Sequence, residues 1–259
     1  MLAIERQRKI LRLVQKNGNV TISELVALFQ VSAETIRKDL LLLEREGMLH
    51  RTHGGAVTVK RGADILPLKV RKQARISQKA ELCRTAVRFI KDGDVIAVDG
   101  GSTALELAKL LSDTDMKLTV VTHSMEVFHV LSENDSLRLI LCAGTFDREE
   151  AAFSGHLTLE AVNRVHTTKA FVCPSGVSLE FGITDYLECF IPIQSAYMRN
   201  TDKVFILADS EKFENTAIMK ISEASGDFTY VTDSLLPDPV YAQYCEKGLT
   251  VCRSSEEVK

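Results

Sequence analysis

Over the first 60 residues the apolar positions recur at helical spacing. Ile4, Ile10, Leu11 and Val14 fall near one stripe, with Arg6, Arg8, Lys9 and Arg12 on other faces. Asn17-Gly18-Asn19 predicts a stop, because Asn and Gly tolerate positive φ. Thr21 and Glu24, three residues apart, form a capping-box pattern at the head of a second helix over Ile22 to Phe29. Ser32 is placed to cap a third helix ending near Glu46, with Gly47 at its C′ position. In that helix Ile36, Leu40 and Leu43 share one face and should turn to the core, while Arg37, Lys38 and Arg45 project elsewhere. One face cannot bury the whole run from Leu40 to Leu43. Leu41 or Leu42 is therefore expected to pack on something outside this helix, such as another protomer. Met48 to Val59 holds two short runs with β-branched residues around Gly54-Gly55, the pattern of a β-hairpin.

From Ile76 the pattern alternates. A helical stretch reaches about Lys91, and Val95 to Val98 reads as a buried strand. Similar apolar runs follow at Leu118 to Val121, Leu137 to Cys142, Ala170 to Cys173, Val204 to Ala208, Tyr230-Val231 and Leu249 to Cys252, most of them separated by helical segments. Alternation of this kind predicts a parallel sheet covered on both faces. Residues 60–75 contain Gly62, Pro67 and many charges, a composition that suits an exposed linker. The expected organisation is α/β: a winged helix-turn-helix over 1–59, a linker over 60–75 and a Rossmann-like domain over 76–259.

Composition and charge sharpen this picture. Of 259 residues, 45% are hydrophobic and 26% charged, which fits an ordinary globular chain and excludes a collagen-like or disordered one. No apolar run approaches the roughly 18 residues of a membrane span, and charges interrupt the first apolar stretch. A cytoplasmic location without membrane contact is expected. The six cysteines show neither CxxC pairs nor metal spacing, so buried thiols in a reducing compartment are expected, with no metal site. Net charge is uneven. Residues 1–75 hold 15 Lys and Arg against 7 Asp and Glu, a balance of +8, and the remainder holds 17 against 28, a balance of −11. A basic module of this size is a candidate for nucleic acid, since neutralising phosphates releases counterions. In a helix-turn-helix the N-terminal residues of the second helix reach base edges in the major groove, and Arg suits guanine. The candidate DNA contacts are Thr21, Ser32, Glu34, Thr35, Arg37 and Lys38, with Arg51, His53 and Gly54 on the wing near phosphates.

Open parallel sheets bind ligands beyond the C-terminal ends of their strands. After the first strand, Asp99-Gly100-Gly101-Ser102-Thr103 leads into a helix. Its glycines permit close backbone approach, and its hydroxyls and helix N-terminus suit an anion such as phosphate. Asp99 is better suited to a sugar hydroxyl or to ordering the loop. His123, Gly155, Asp185, Glu188 and Lys212 follow later strands or precede helices, and Lys212 suits either a ligand phosphate or a structural ion pair.

Thr35-Ile36-Arg37-Lys38-Asp39-Leu40, Leu43-Glu44, Gly47 and Arg51-Thr52-His53-Gly54-Gly55-Ala56 resemble the signature of the DeoR family of bacterial transcription repressors. A sparser resemblance, through Asp99 to Thr103, Ser154-Gly155, Gly176, Gly182, Glu188 and Asp209 to Phe213, extends to the family's sensor domain, which is similar in fold to ribose-5-phosphate isomerase and glucosamine-6-phosphate deaminase. The resemblance implies a homo-oligomer that binds double-stranded operator DNA and senses a sugar metabolite, usually phosphorylated. The chain departs from the family in having His123 where Asn is usual, Ala143-Gly144 for a Gly pair, Cys173-Pro174 for a smaller segment and Pro192 where Lys is common. An alternative reading is a phosphosugar isomerase or deaminase using Asp99, Asp185, Glu188 and Lys212. No convincing acid–base pair supports it, and no catalytic residue or cofactor is expected. Activation in place of repression is a further alternative, since sign depends on where the operator lies.

Overall fold

The computed structural model describes residues 3–17, 19–45, 48–52, 54–57 and 66–254. Its contacts divide the chain into two compact units, Met1–Val70 and Arg71–Lys259.

The first unit contains α1 (Ala3–Asn17), β1 (Asn19–Thr21), α2 (Ile22–Phe29), α3 (Ala33–Arg45), β2 (His50–Thr52) and β3 (Gly55–Val57). The capping box is present: the Thr21 Oγ1 accepts from the Glu24 N–H at 3.2 Å, and the Glu24 carboxylate accepts from the Thr21 N–H at 2.8 Å. Ser32 Oγ accepts from the Thr35 N–H at 3.2 Å and so caps α3. Ile10, Val14, Leu25, Ile36, Leu40, Leu43 and Leu49 are buried in one core. Leu41 is half-buried and Leu42 is 47% exposed. The expected end of α3 at Glu46-Gly47 lies outside the described residues. Across the helices, buried Asp39 accepts from Arg6 Nε at 2.5 Å and from Gln7 Nε2 at 2.9 Å, fastening α3 to α1.

The hairpin differs from its expected form in two ways. It gains a third strand, because β1 pairs antiparallel with β3, giving the order β1-β3-β2. Gly55 is also the first residue of β3 rather than part of the turn. A Cβ at Gly55 would lie 1.9 Å from the Val20 carbonyl oxygen and 2.8 Å from Thr21 Cα, so glycine is required by the approach of β1. The preceding carbonyl, of Gly54, accepts from the Ile22 N–H at 2.8 Å and ties the turn to the head of α2. Gly55→Ala is expected to detach β1 from the wing and cost roughly 1–3 kcal/mol. Thermal melting should show this, and unchanged melting would refute the steric account.

The second unit opens after the single turn α4 (Leu68–Arg71) and continues with α5 (Ile76–Val87), β4 (Val95–Val98), α6 (Gly101–Ser112), β5 (Thr119–Thr122), α7 (Met125–Leu131) and β6 (Arg138–Leu141). Next come β7 (Thr145–Asp147), β8 (Ala152–Ser154), α8 (His156–Asn163), β9 (Thr167–Val172), β10 (Gly176–Ser178), β11 (Gly182–Asp185), α9 (Ile191–Arg199) and β12 (Thr201–Leu207). The remaining elements are β13 (Met219–Ser222), β14 (Phe228–Thr232), α10 (Asp238–Glu246) and β15 (Thr250–Arg253). The seven expected strands form one parallel sheet, in the order β15-β14-β12-β9-β4-β5-β6. Alternate side chains enter two cores, as the pleat demands. Ile96, Val98, Phe171, Phe205 and Leu207 join Leu82, Leu107 and Leu111 from α5 and α6, while Ala97, Ala170, Val172 and Ile206 join Val162, Ile193 and Tyr244 from α8, α9 and α10. The antiparallel sheet β10-β11-β13 and the hairpin β7-β8 were not expected from the apolar runs.

The expected linker reaches to Arg75, but the chain from Arg71 onward is built into this unit. Arg71 pairs with Glu150 and Lys72 with Glu126, and Arg75 pairs with Asp209 and Glu211 at 2.9 and 2.8 Å. Complementary acids at the head of α7, in the β7-β8 turn and just after β12 explain why this charged stretch is held. Residues 60–65 lie outside the described residues. Cys83, Cys142 and Cys173 are buried as expected, but Cys189 and Cys245 are exposed, because the loop before α9 and the outer face of α10 leave them at the surface.

Candidate nucleic-acid interface and ligand site

In the first unit the candidate contacts lie at the surface. Thr21, Ser32, Glu34, Arg37, Lys38, Arg51 and Gly54 are exposed and Thr35 is half-buried. His53 lies outside the described residues. The α3 geometry explains this division: burying Ile36 and Leu40 turns Arg37 and Lys38 outward. Arg37 lies 3.6 Å from Glu34, a loose exposed pair that leaves its guanidinium available to a stronger acceptor. Arg51 is held more firmly: its backbone N–H and its Nε donate to the two Glu44 carboxylate oxygens at 2.8 and 2.6 Å, fastening β2 to α3. Ile22, Arg37, Leu40, Glu44, Arg51, Thr52 and Gly55 line a concave crease of about 320 Å³ between α3 and the wing.

In the second unit the strand order reverses beside β4: β5 and β6 lie on one side, and β9, β12, β14 and β15 on the other. The crevice at such a reversal, beyond the strand ends, is where doubly wound sheets bind ligands. Asp99 follows β4 and Cys173 follows β9, on the two sides of that crevice. Asp99 is buried. One of its oxygens accepts from the Gly100 N–H at 2.8 Å, and the other accepts from the Cys173 N–H at 2.9 Å and Gln194 Nε2 at 3.1 Å. Burial nevertheless raises its carboxyl to about 6, with the charge of Asp185 adding to the rise. Asp185 accepts from Ser175 Oγ at 2.8 Å, the Tyr186 N–H at 2.7 Å and Gln194 Nε2 at 3.0 Å.

His123, after β5, is 1% exposed. Its ring packs on Phe190 and Tyr197, its Nδ1 lies 3.3 Å from the Tyr197 hydroxyl and its Nε2 3.9 Å from Asp99. Burial lowers its imidazolium to about 4, so the ring is neutral and its contact with Asp99 is not an ion pair. Gly100 and Gly101 are half-buried, and Gly101 has φ +91° at the start of α6. Arg71 Nη1 would meet a Cβ there at 3.4 Å. Ser102 and Thr103 are buried, and Thr103 Oγ1 has no hydrogen-bond partner among the described residues. Buried Lys79 donates to the Arg71 and Ala74 carbonyls, and burial, reinforced by the charge of Lys212, lowers its ammonium to about 8.

The structure thus brings Asp99 to Thr103, His123 and Asp185 together. Lys212 Nζ donates to the Pro174 carbonyl at 2.6 Å, next to Cys173, a structural bond rather than an ion pair. Glu188 is exposed at the head of a 3-10 turn, and among the described residues no hydrogen bond joins it to the Asp99 network. Gly155 is exposed at the head of α8 with φ +90°. Sequence reasoning missed Gln194 and Tyr197. They stand three apart on α9 among buried Ile193 and Ala196, and a polar side chain within that apolar face is the signal available.

Comparisons agree with both units. Residues 6–61 match the DeoR-like helix-turn-helix domain, and residues 74–234 match the DeoR C terminal sensor domain. An uncharacterised helix-turn-helix transcriptional regulator of Bacillus subtilis, YulB, is 31% identical over 95% of this chain and 94% of its own length. The L-fucose operon activator of Haemophilus influenzae is 31% identical over 93% and 96%, and the lactose phosphotransferase system repressor of Lactococcus lactis 30% over 88% and 90%. Ribose 5-phosphate isomerase A of Methanocaldococcus jannaschii overlays 54% of this chain and 55% of its own at a TM-score of 0.41 with 17% identity. With a reading head in the first unit and a strand-end crevice in the second, the chain belongs to the DeoR family of DNA-binding transcriptional regulators.

Proposed function

We propose that the chain represses a sugar-metabolism operon in the cytoplasm as a homo-oligomer, and that a small sugar or sugar phosphate releases it. Thr35, Arg37 and Lys38 at the head of α3 read the operator, with Thr21, Ser32, Glu34, Arg51, His53 and Gly54 around them. The effector enters the crevice at Asp99, Gly100, Gly101, Ser102, Thr103, His123 and Asp185, with Gly155, Glu188 and Lys212 at its margin. The observation that carries the reading is the exposure of Arg37 and Lys38 on a helix whose opposite face is core. The L-fucose operon activator among the relatives keeps activation as the second reading; operator position decides the sign.

The test is fluorescence anisotropy on the chain's own promoter region across a salt series. Sequence-preferring, salt-sensitive binding is expected. Arg37→Ala should lose about 1–3 kcal/mol of discrimination at one base position. Uniform weakening by Arg37→Ala would remove direct readout from Arg37. For the effector, D-glucose 6-phosphate, D-fructose 1-phosphate, D-ribose 5-phosphate and the parent sugars are screened by melting temperature, which a true ligand raises by mass action.

A further inference from the structure

We propose that Gln194 is a specificity-determining residue of the effector crevice, its Oε1 accepting a hydrogen bond from a hydroxyl of a polyhydroxylated effector. The inference rests on the effector reading above and adds the chemistry of one contact. Gln194 is 3% exposed and lies on α9, a helix that also supplies Tyr197 to His123. Its Nε2 stands 3.1 Å from Asp99 and 3.0 Å from Asp185, so both amide hydrogens are spent on two carboxylates. That assignment fixes the amide orientation, because a carboxylate oxygen only accepts. Oε1 therefore faces away from both acids, and it is buried with no hydrogen-bond partner among the described residues.

Buried polar atoms of native proteins are paired, and one left over marks a place where a donor belongs. Above pH 6, where Asp99 is ionised, the neighbouring acids do not supply it: Asp99 accepts from Gly100 and Cys173, and Asp185 accepts from Ser175 and Tyr186. A phosphate dianion cannot supply it either, since it offers acceptors only. A hydroxyl donates, and it can in turn accept from another group. The crevice is thereby divided: an anionic group belongs at the head of α6, where the backbone N–H groups and the unpartnered Thr103 hydroxyl lie, and a hydroxyl belongs at Gln194.

The experiment is isothermal titration of the full chain with whichever of the screened sugar phosphates or parent sugars raises its melting temperature, then with the single-deoxy analogues of that compound. One deoxy analogue should bind at least tenfold more weakly, as for sites built around a substrate hydroxyl. Gln194→Leu should weaken the parent by a similar factor and leave that analogue nearly unaffected. If Gln194→Leu does not fold, the deoxy series on the wild-type chain still decides. Equal affinity for the parent and every deoxy analogue overturns the role of Gln194 while leaving the effector reading intact. Equal parent affinity of wild type and Gln194→Leu has the same meaning. A wild-type chain that none of the screened sugar phosphates or parent sugars stabilises overturns both.

Discussion

Asp39→Ala is expected to remove about 3–5 kcal/mol from the N-terminal unit, because it strands the Arg6 guanidinium in the core. The Arg6 and Asp39 side chains are 9% and 5% exposed, and their 2.5 Å contact joins residues 33 apart. A 70-residue unit of this kind is held by only on the order of 4–10 kcal/mol. The variant should therefore lose most folded N-terminal unit near physiological temperature and bind operator weakly on every sequence. Melting of the second unit should stay in place, since it contains neither residue. Asp39→Asn keeps an acceptor for Arg6 and Gln7 and should cost less. Removing both charges tests the cause: Arg6→Met with Asp39→Leu fills similar volume without a buried ion and should recover most of the loss. Calorimetry of the single and double variants checks this. If the double variant is as unstable as Asp39→Ala, the stranded charge is not the cause.

The Arg6–Asp39 pair shows where sequence reading stops. The i, i+4, i+7 apolar stripe of α3 and the caps at Thr21 and Ser32 are local, and each is settled by a few neighbouring residues. The seven apolar strands were legible for a similar reason: burial on both faces leaves continuous runs such as Val95 to Val98. Asp39, next to the outward Lys38, reads from its neighbours as one more surface charge; only α1 packing against α3 makes it core. The strand β1 is three residues long and owes its existence to Ala56 and Val57 across the sheet. Gln194 meets Asp99 from 95 residues away. Arg71 and Arg75 looked like solvated linker because their acids, Glu150, Asp209 and Glu211, come much later in the chain. At the ligand site the loop Asp99 to Thr103 could be read, since strand, glycines and helix are contiguous. The partners that set its charge state could not.

That charge state has a measurable consequence. Burial raises Asp99 from 3.8 to about 6, so its contribution to stability is complete below 3.8 and is lost as pH rises through 6. Burial lowers His123 from 6.5 to about 4, so its contribution is complete above 6.5 and is lost as pH falls through 4. Between pH 4 and 6 the folded chain carries one proton of this pair on Asp99, and the unfolded chain carries one on His123. The counts match, and the pair adds almost no slope to stability in that window. His123→Asn removes one arm of the balance. Relative to wild type, its stability should fall as pH rises from 4 to 6, by about 1.4 kcal/mol per pH unit. Asp99→Asn removes the other arm and should gain stability, relative to wild type, by a similar slope as pH rises from 4 to 6. Calorimetric melting at half-unit steps from pH 4.5 to 6.5 gives both differences. A charged His123–Asp99 ion pair would hold the same single proton and leave wild type equally flat; the variants report what burial does to each group by itself. Variant profiles parallel to wild type would show that burial does not move the Asp99 carboxyl up and the His123 imidazolium down.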